Sequence, residues 1–246
     1  MCDLKEVIEI INDSNNIVFF GGAGVSTASG LPDFRSATGL YNKANNSNYS
    51  PEYMLSHEFF EENPSEFMKY VRENLMVEGI LPNDCHYALT KLEEMGKLKG
   101  IITQNIDGLH QKAGSKNVVE LHGTLKDYYC VSCHKSYDIS YVNKFDDLVR
   151  CEDCGGIVRP DVVLYGEGLD QNNISYAINL ISQADVLIIG GTSLVVYPAA
   201  GLIDFYKGNK LVLINQEITP RDSIANHVLR GDISKIMKEI IEGIDG

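Results

Sequence analysis

Short apolar runs recur along the chain: IVFF at 17–20, GII at 100–102, VVEL at 118–121, VVLY at 162–165, VLII at 186–189 and LVLI at 211–214. Most are β-branched and continuous rather than alternating, which is how strands buried on both faces of a parallel sheet read. Between them the apolar spacing changes to the helical period. Leu4, Val7, Ile8 and Ile11 share one face, and Ala88, Leu89, Leu92 and Met95 share another. A third stripe, Ile233, Ile236, Met237, Ile240 and Ile241, is entered through Asp232 as an N-cap. Pro198 suits the first turn of a helix through Ala199, Ala200 and Ile203. Strands alternating with helices predict an α/β fold, a Rossmann-like parallel sheet with helices on both faces.

Two stretches break this rhythm. Residues 36–75 are rich in Asn, Ser, Tyr and Phe, with helical stretches but no buried strand, and residues 126–158 carry cysteines and little core. Both are expected to be insertions forming a small zinc-binding and helical module beside the sheet. The main part is then 1–35, 76–125 and 159–246 of a single domain, 1–246. The polar segment NKANNSNYS at 42–50 offers nothing to bury and is expected to be a mobile loop.

Charge narrows the chemistry. The net charge is −13, which argues against nonspecific nucleic-acid binding and mildly favours basic partners such as lysine-rich tails. No apolar run reaches the ~18 residues of a membrane span. The start, MCDLKE, lacks the basic and apolar regions of an export signal, so a cytoplasmic protein without membrane association is expected.

Four of the six cysteines fall as Cys130-x-x-Cys133 and Cys151-x-x-Cys154. Two such knuckles close a tetrahedron around Zn²⁺ and leave no open position, so a structural zinc is expected. Iron in an S₄ site has the same pattern, and His134 is a less favoured alternative ligand. Cys2 and Cys85 need no role beyond that of a small hydrophobe or lone thiol.

Gly21, Gly22 and Gly24 follow the first strand and suit a phosphate-binding turn that opens a helix, although Thr27 stands where G-x-G-x-x-G needs its third glycine. No acidic residue follows about twenty positions on, which disfavours an ordinary dehydrogenase. A polar cluster, Thr103-Gln104-Asn105-Ile106-Asp107, ends the second run, and His122-Gly123 follows. In an open α/β sheet the ends of the strands are where ligands bind.

GAGVSTASG at 22–30, LPDFR at 31–35, TQNIDGLHQKAGS at 103–115, ELHG at 120–123, the paired cysteines, RPDVVLYGE at 159–167, GTSLVVYPAAG at 191–201 and LVLIN at 211–215 stand in the order seen in sirtuins. The chain resembles these NAD-dependent protein lysine deacylases from Ile17 to about Asp232, in their compact bacterial or archaeal form. The resemblance implies His122 as the catalytic base and an NAD pocket lined by Ala23, Thr27, Phe34 and Arg35. It implies ribose and nicotinamide contacts at Gln104, Ile106 and Asp107, with Asn105 and Ser26 beside the reacting ribose. Thr192, Ser193, Asn215, Asp232 and Ile233 match the phosphate and adenosine contacts. Val163, Leu164 and Tyr165 would wall an acyl-lysine tunnel. Gly166, Glu167, Val195 and Val196 would hold an acyl-lysine protein or peptide as an added strand.

The implied reaction consumes NAD⁺: the acyl oxygen attacks the ribose carbon as nicotinamide leaves, and His122 then deprotonates a ribose hydroxyl. Met68 and Val71 stand where the desuccinylating branch carries Tyr and Arg, so acetyl or longer apolar acyl groups are expected rather than succinyl. A mono-ADP-ribosyltransferase or a non-catalytic NAD- and zinc-binding module would use the same motifs differently.

Overall fold

A computed structural model describes residues 4–33, 39, 49–77 and 79–245. Phe34, Arg35, Cys2 and most of the 42–50 segment lie outside the described residues. The strands are β1 (Ile17–Gly21), β2 (Leu98–Thr103), β3 (Val118–Glu120), β4 (Gly123–Cys130), β5 (Ser136–Asp138), β6 (Val158–Val162), β7 (Val186–Gly190), β8 (Leu211–Asn215) and β9 (His227–Arg230). The helices are α1 (Leu4–Asn12), α2 (Pro51–Met54), α3 (His57–Glu62), α4 (Pro64–Asn74), α5 (Asp84–Glu94), α6 (Leu109–Ala113), α7 (Ile139–Val142), α8 (Gln171–Gln183) and α9 (Ile233–Asp245).

Six strands form a parallel sheet in the order β3-β2-β1-β7-β8-β9. Successive strand side chains point to opposite faces, and here both faces are covered. Ile17, Phe19, Ile101, Ile188, Val212 and Ile214 enter one core with α1, α5 and α9. Val18, Phe20, Ile102, Leu187, Ile189 and Leu213 enter the other, with α8 and the 3₁₀ segment Ala199–Phe205. That double burial is why the runs are continuous. Each fully buried Phe or Ile contributes roughly 1.5–3 kcal/mol of transfer free energy.

The ends of the helices follow the expected chemistry. The Asp232 carboxylate accepts from the Ser234 amide at 2.9 Å as α9 begins, and Asp170 accepts from Asn173 at the start of α8. Pro198 precedes a 3₁₀ turn rather than an α-helix.

Two expectations need correction. The 162–165 run is not a strand of the main sheet. Only Val162 is in a strand, at the end of β6, which pairs antiparallel with β4 in a separate sheet ordered β5-β4-β6. The residues after it are apolar because they pack against a cleft and a third core. The main sheet instead ends in β9, whose HVLR carries polar residues because an edge strand is half-exposed.

Nor is the 126–158 region poor in core. Tyr128, Cys130, Tyr137, Val142, Val149 and Val158 pack with Phe59, Phe60, Phe67, Met68 and Val71 into a third apolar cluster. Two segments distant in sequence thus share one core. Among the described residues no helix is long and apolar enough to cross a membrane.

Candidate active site

The sheet reverses its winding between β1 and β7, and a crevice opens where the strands on either side of such a switch point diverge. The end of β1 and the end of β7 meet there backbone to backbone: the Gly24 amide donates to the Gly191 carbonyl at 2.8 Å. A Cβ on Gly24 would lie 2.8 Å from the Gly191 Cα, so no larger residue fits. The loop beyond is a pair of single-turn 3₁₀ helices, Ala23–Val25 and Thr27–Ser29, not the opening of an α-helix.

The crevice has a volume of roughly 690 Å³. Of the residues implied by the motifs, Ala23, Thr27, Gln104, Asn105, Ile106, Asp107, His122, Thr192, Ser193, Asn215 and Ile233 line it. Val163, Leu164, Tyr165, Gly166, Glu167 and Val196 line it as well. Asp232 and Val195 do not line it; Asp232 caps α9 and Val195 stands beside Val196.

A hydrogen-bonded chain crosses its floor. Asn105 Nδ2 donates to Ser26 Oγ at 3.1 Å, and Ser26 Oγ donates to Asp107 Oδ2 at 2.7 Å. The Leu109 amide holds the other Asp107 oxygen at 2.9 Å. Two short segments, the loop after β1 and the stretch between β2 and α6, are thereby locked to each other around a carboxylate. Gln104 Nε2 reaches across to Thr192 Oγ1 at 3.0 Å, and Asn215 Nδ2 donates to the Thr192 carbonyl at 3.3 Å. The tips of β2, β7 and β8 are tied in the same way.

His122 lies between β3 and β4. Its Nδ1 donates to the Gln104 carbonyl at 2.9 Å, which sets the tautomer and leaves Nε2 as a proton acceptor. Burial lowers its pKa below the usual imidazole value, and the Gln104 carbonyl offsets this only in part. The ring is therefore neutral at pH 7. Gly123 must follow it: φ is +77°, and a Cβ there would meet the Asp161 carbonyl oxygen. The backbone of the catalytic candidate is tied to the acyl-tunnel candidates, since the Val163 amide donates to the His122 carbonyl at 2.9 Å.

Other lining residues escaped the motif reading. Leu55, Asn74, Leu75 and Leu125 bring the α2 and α4 segments and β4 to the crevice wall. No local pattern marks them, because their role depends on the helical segment folding across the sheet's end. Met68 and Val71 are fully buried in the third core. One Arg72 nitrogen, Nη1, donates to the Asp146 and Asp147 carbonyls, while Nη2 is buried without a partner among the described residues.

The four motif cysteines converge away from the crevice. Their sulfurs all lie within 4.8 Å of one another, with Cys130–Cys154 at 3.5 Å and Cys133–Cys151 at 3.6 Å. A tetrahedron with Zn–S bonds of about 2.3 Å has edges of ~3.8 Å, so the donor set fits Zn²⁺. Tyr137 Oη donates to Cys151 Sγ at 3.0 Å, which lowers that thiol's pKa to about 6. The His134 ring stacks beside Tyr129 and is not in the cluster.

The Sir2 family model matches residues 22–198, more than half of the chain. An NAD-dependent protein deacetylase of Clostridium perfringens is 57% identical over 240 residues, covering 97% of this chain and 98% of the relative. One of Staphylococcus epidermidis is 47% identical, covering 97% of each. A solved Sir2 structure with deacetylated p53 peptide and 3′-O-acetyl-ADP-ribose is 40% identical, with a TM-score of 0.90 and 98% of both chains covered. Another, Sir2 with p53 peptide and NAD⁺, superposes with a TM-score of 0.86 at the same identity and coverage. The motifs, the fold and these likenesses together make the chain a member of the Sir2 family, the sirtuins.

Proposed function

We propose that the protein is an NAD-dependent protein lysine deacylase that removes acetyl, or longer apolar acyl, groups from lysine side chains. The observation that carries this is a single crevice lined by a neutral, tautomer-fixed His122, the Asn105–Ser26–Asp107 floor and an apolar wall whose Val163 amide is bonded to the His122 carbonyl. The family's likeness to structures with NAD⁺, acetylated ADP-ribose and peptide supports it.

Bound NAD⁺ supplies an electrophilic ribose carbon and nicotinamide as the leaving group. Asp107, fixed by Ser26 and the Leu109 amide, has its carboxylate placed to hold the carboxamide. Asn105 positions the ribose side with Ser26. His122 Nε2 accepts the proton of a ribose hydroxyl, while Nδ1 stays bonded to Gln104. Ala23, Thr27, Gln104, Ile106, Thr192, Ser193, Asn215 and Ile233 line the cofactor's path, with Asp232 setting the start of α9. Phe34 and Arg35, which lie outside the described residues, are assigned to covering the cofactor and binding its charge. Products are free lysine, nicotinamide and O-acyl-ADP-ribose.

Val163, Leu164 and Tyr165 wall the acyl tunnel, and the backbones of Gly166, Glu167, Val195 and Val196 hold the peptide as an added strand. Val163 and Leu164 give the crevice an apolar wall, and Met68 and Val71 are apolar and buried behind it in the third core, which supports an uncharged acyl group. Four thiolates hold a structural Zn²⁺, with Tyr137 as its outer hydrogen-bond donor. We divide the domain as 1–35, 76–125 and 159–246 for the cofactor-binding part, with 36–75 and 126–158 as insertions. We assign the protein to the cytoplasm, because its paired cysteines serve a metal site rather than disulfides and its co-substrate is NAD⁺.

The test is mass spectrometry of an acetyl-lysine peptide incubated with protein and NAD⁺. Deacetylated peptide and O-acetyl-ADP-ribose should form in equal amounts. His122→Ala should lower turnover by ~10²–10⁴-fold. Nicotinamide release with ADP-ribose attached to protein and no deacetylated peptide would overturn this reading.

A further inference from the structure

The segment that walls the acyl tunnel is clamped by a buried ion pair that takes no part in the proposed chemistry. Arg159, on β6, is 2% exposed and is the largest fully buried side chain among the described residues. Its NH1 and NH2 donate to Glu167 Oε1 and Oε2 at 2.6 and 3.0 Å, the two-pronged geometry that suits a guanidinium and a carboxylate. NH2 also donates to the Val162 carbonyl at 2.7 Å. The guanidinium lies 5.0 Å from the Phe60 ring centroid and 5.7 Å from that of Tyr129, so aromatic faces cover it.

Glu167 has every oxygen engaged as well. Oε2 accepts from the Leu164 amide at 2.9 Å, and Oε1 meets His57 Nδ1 at 2.8 Å. Burial raises its pKa, but the Arg159 hydrogen bonds, with the Leu164 amide and His57, more than reverse this, to about 2. The carboxylate is therefore ionised throughout the physiological range. Its side chain is used within the protein, so only its backbone is left to face a peptide.

What the pair encloses is the substrate wall. Residues 160–166 lie between the two partners in sequence, and Val163, Leu164, Tyr165 and Gly166 line the crevice. The same segment is anchored on the catalytic side by the Val163 amide to the His122 carbonyl. On the other side, the Tyr165 amide donates to the Leu55 carbonyl and the His57 amide to the Tyr165 carbonyl, at 3.0 and 2.9 Å. The cofactor floor, by contrast, is held by Ser26, Asn105 and Thr192 and makes no bond to this pair.

The geometry points to Arg159 and Glu167 as positioning residues that set the acyl-peptide wall at residues 163–166, with His57 linking that wall to α3, separately from cofactor binding. The inference rests on the deacylase reading of the crevice. It assigns specificity for the peptide substrate, not for NAD⁺, to a cluster outside the reacting atoms. A hydrogen bond to a charged group removed from such a site is worth at least an order of magnitude in affinity where geometry depends on it.

The experiment is steady-state kinetics with an acetyl-lysine peptide and NAD⁺, each varied in turn, on wild type, Glu167→Gln, Arg159→Met and His57→Ala. Glu167→Gln should raise the peptide KM by roughly tenfold while changing the NAD⁺ KM by less than about twofold. Hydrogen exchange should quicken at the amides of 163–166 and stay unchanged at Leu109. His57→Ala, half-exposed, should shift the peptide KM in the same direction by a smaller factor. It decides the matter if the buried variants do not fold. Loss of thermal stability with both KM values unchanged, or equal rises in both, overturns the inference and leaves deacylation standing. A wild type that turns over no acyl peptide overturns both.

Discussion

The parallel sheet and the small cysteine-bearing module solve the problem of stability differently. In the sheet every strand residue from Ile17 to Phe20 is buried, and alternate side chains feed two separate cores. The small module has three short strands and a single shared core. It supplements that core with a sulfur cluster, Tyr137 and Tyr141 rings tilted against each other at 4.2 Å and an ion pair between the buried Arg159 and the part-buried Glu167. Apolar area suffices where two layers of helix cover a sheet. Where the layer is thin, specific polar and metal-binding groups take over.

The largest effect expected from this contrast is metal removal. Binding free energy for a structural zinc is folding free energy, on the order of 10 kcal/mol or more. Chelation, or Cys151→Ala, should abolish hydrogen-exchange protection in β4 and β6 while β1 and β7 stay protected. Equal loss in both regions would show that the module and sheet fold as one unit and would break the comparison.

Phe19→Ala attacks the other side. Removing a fully buried ring should cost about 3–5 kcal/mol, read as a lowered urea midpoint, with zinc content unchanged. A loss of zinc in parallel would again erase the distinction.

Acid should also act on the sheet side. His86 and His110, on α5 and α6, have ring centroids 4.8 Å apart beside Phe19. Burial lowers their pKa values from 6.5 to about 4 and about 3, Asp107 partly opposing the shift at His86 and the His86 charge adding to it at His110. The unfolded chain binds protons near pH 6.5 that the folded chain does not, so stability is complete above that value. It falls as pH drops through the window toward 4, by roughly 1.4 kcal/mol per pH unit for each ring. His110→Phe should flatten the urea midpoint's dependence on pH; an unchanged slope would reassign the acid sensitivity to other groups.

The smallest effect tests locality. Asp170→Ala removes the carboxylate that caps α8 and should cost about 1 kcal/mol, measured by thermal melting, with neither zinc content nor peptide KM altered.

Legibility differed between the regions for the same physical reason. The runs at 17–20, 186–189 and 211–214 matched strands because a buried parallel strand leaves a contiguous apolar trace that no neighbour can change. The 162–165 run left a similar trace for a different cause, since Val163 and Leu164 are apolar to face a cleft. The edge strand at His227–Arg230 left almost none. The four cysteines stood out because their chemistry demands particular side chains at particular spacings, and His122 stood out only through the resemblance carried by the ordered motifs. Leu55, Asn74, Leu75 and Leu125 did not, because any residue of suitable size can line a wall once the helical segment folds over it.

By itself, then, the chain's amino-acid order determined the α/β alternation and the tetrathiolate site, since each is written in local period or local chemistry, and its ordered motifs carried the resemblance that made His122 the candidate base. Tertiary structure alone decided which tautomer His122 adopts, through a carbonyl eighteen positions away. It also decided that two insertions share one core, and that Arg159 and Glu167 meet beneath the substrate wall. These depend on contacts between segments distant in sequence, and such contacts exist only after the chain has closed on itself.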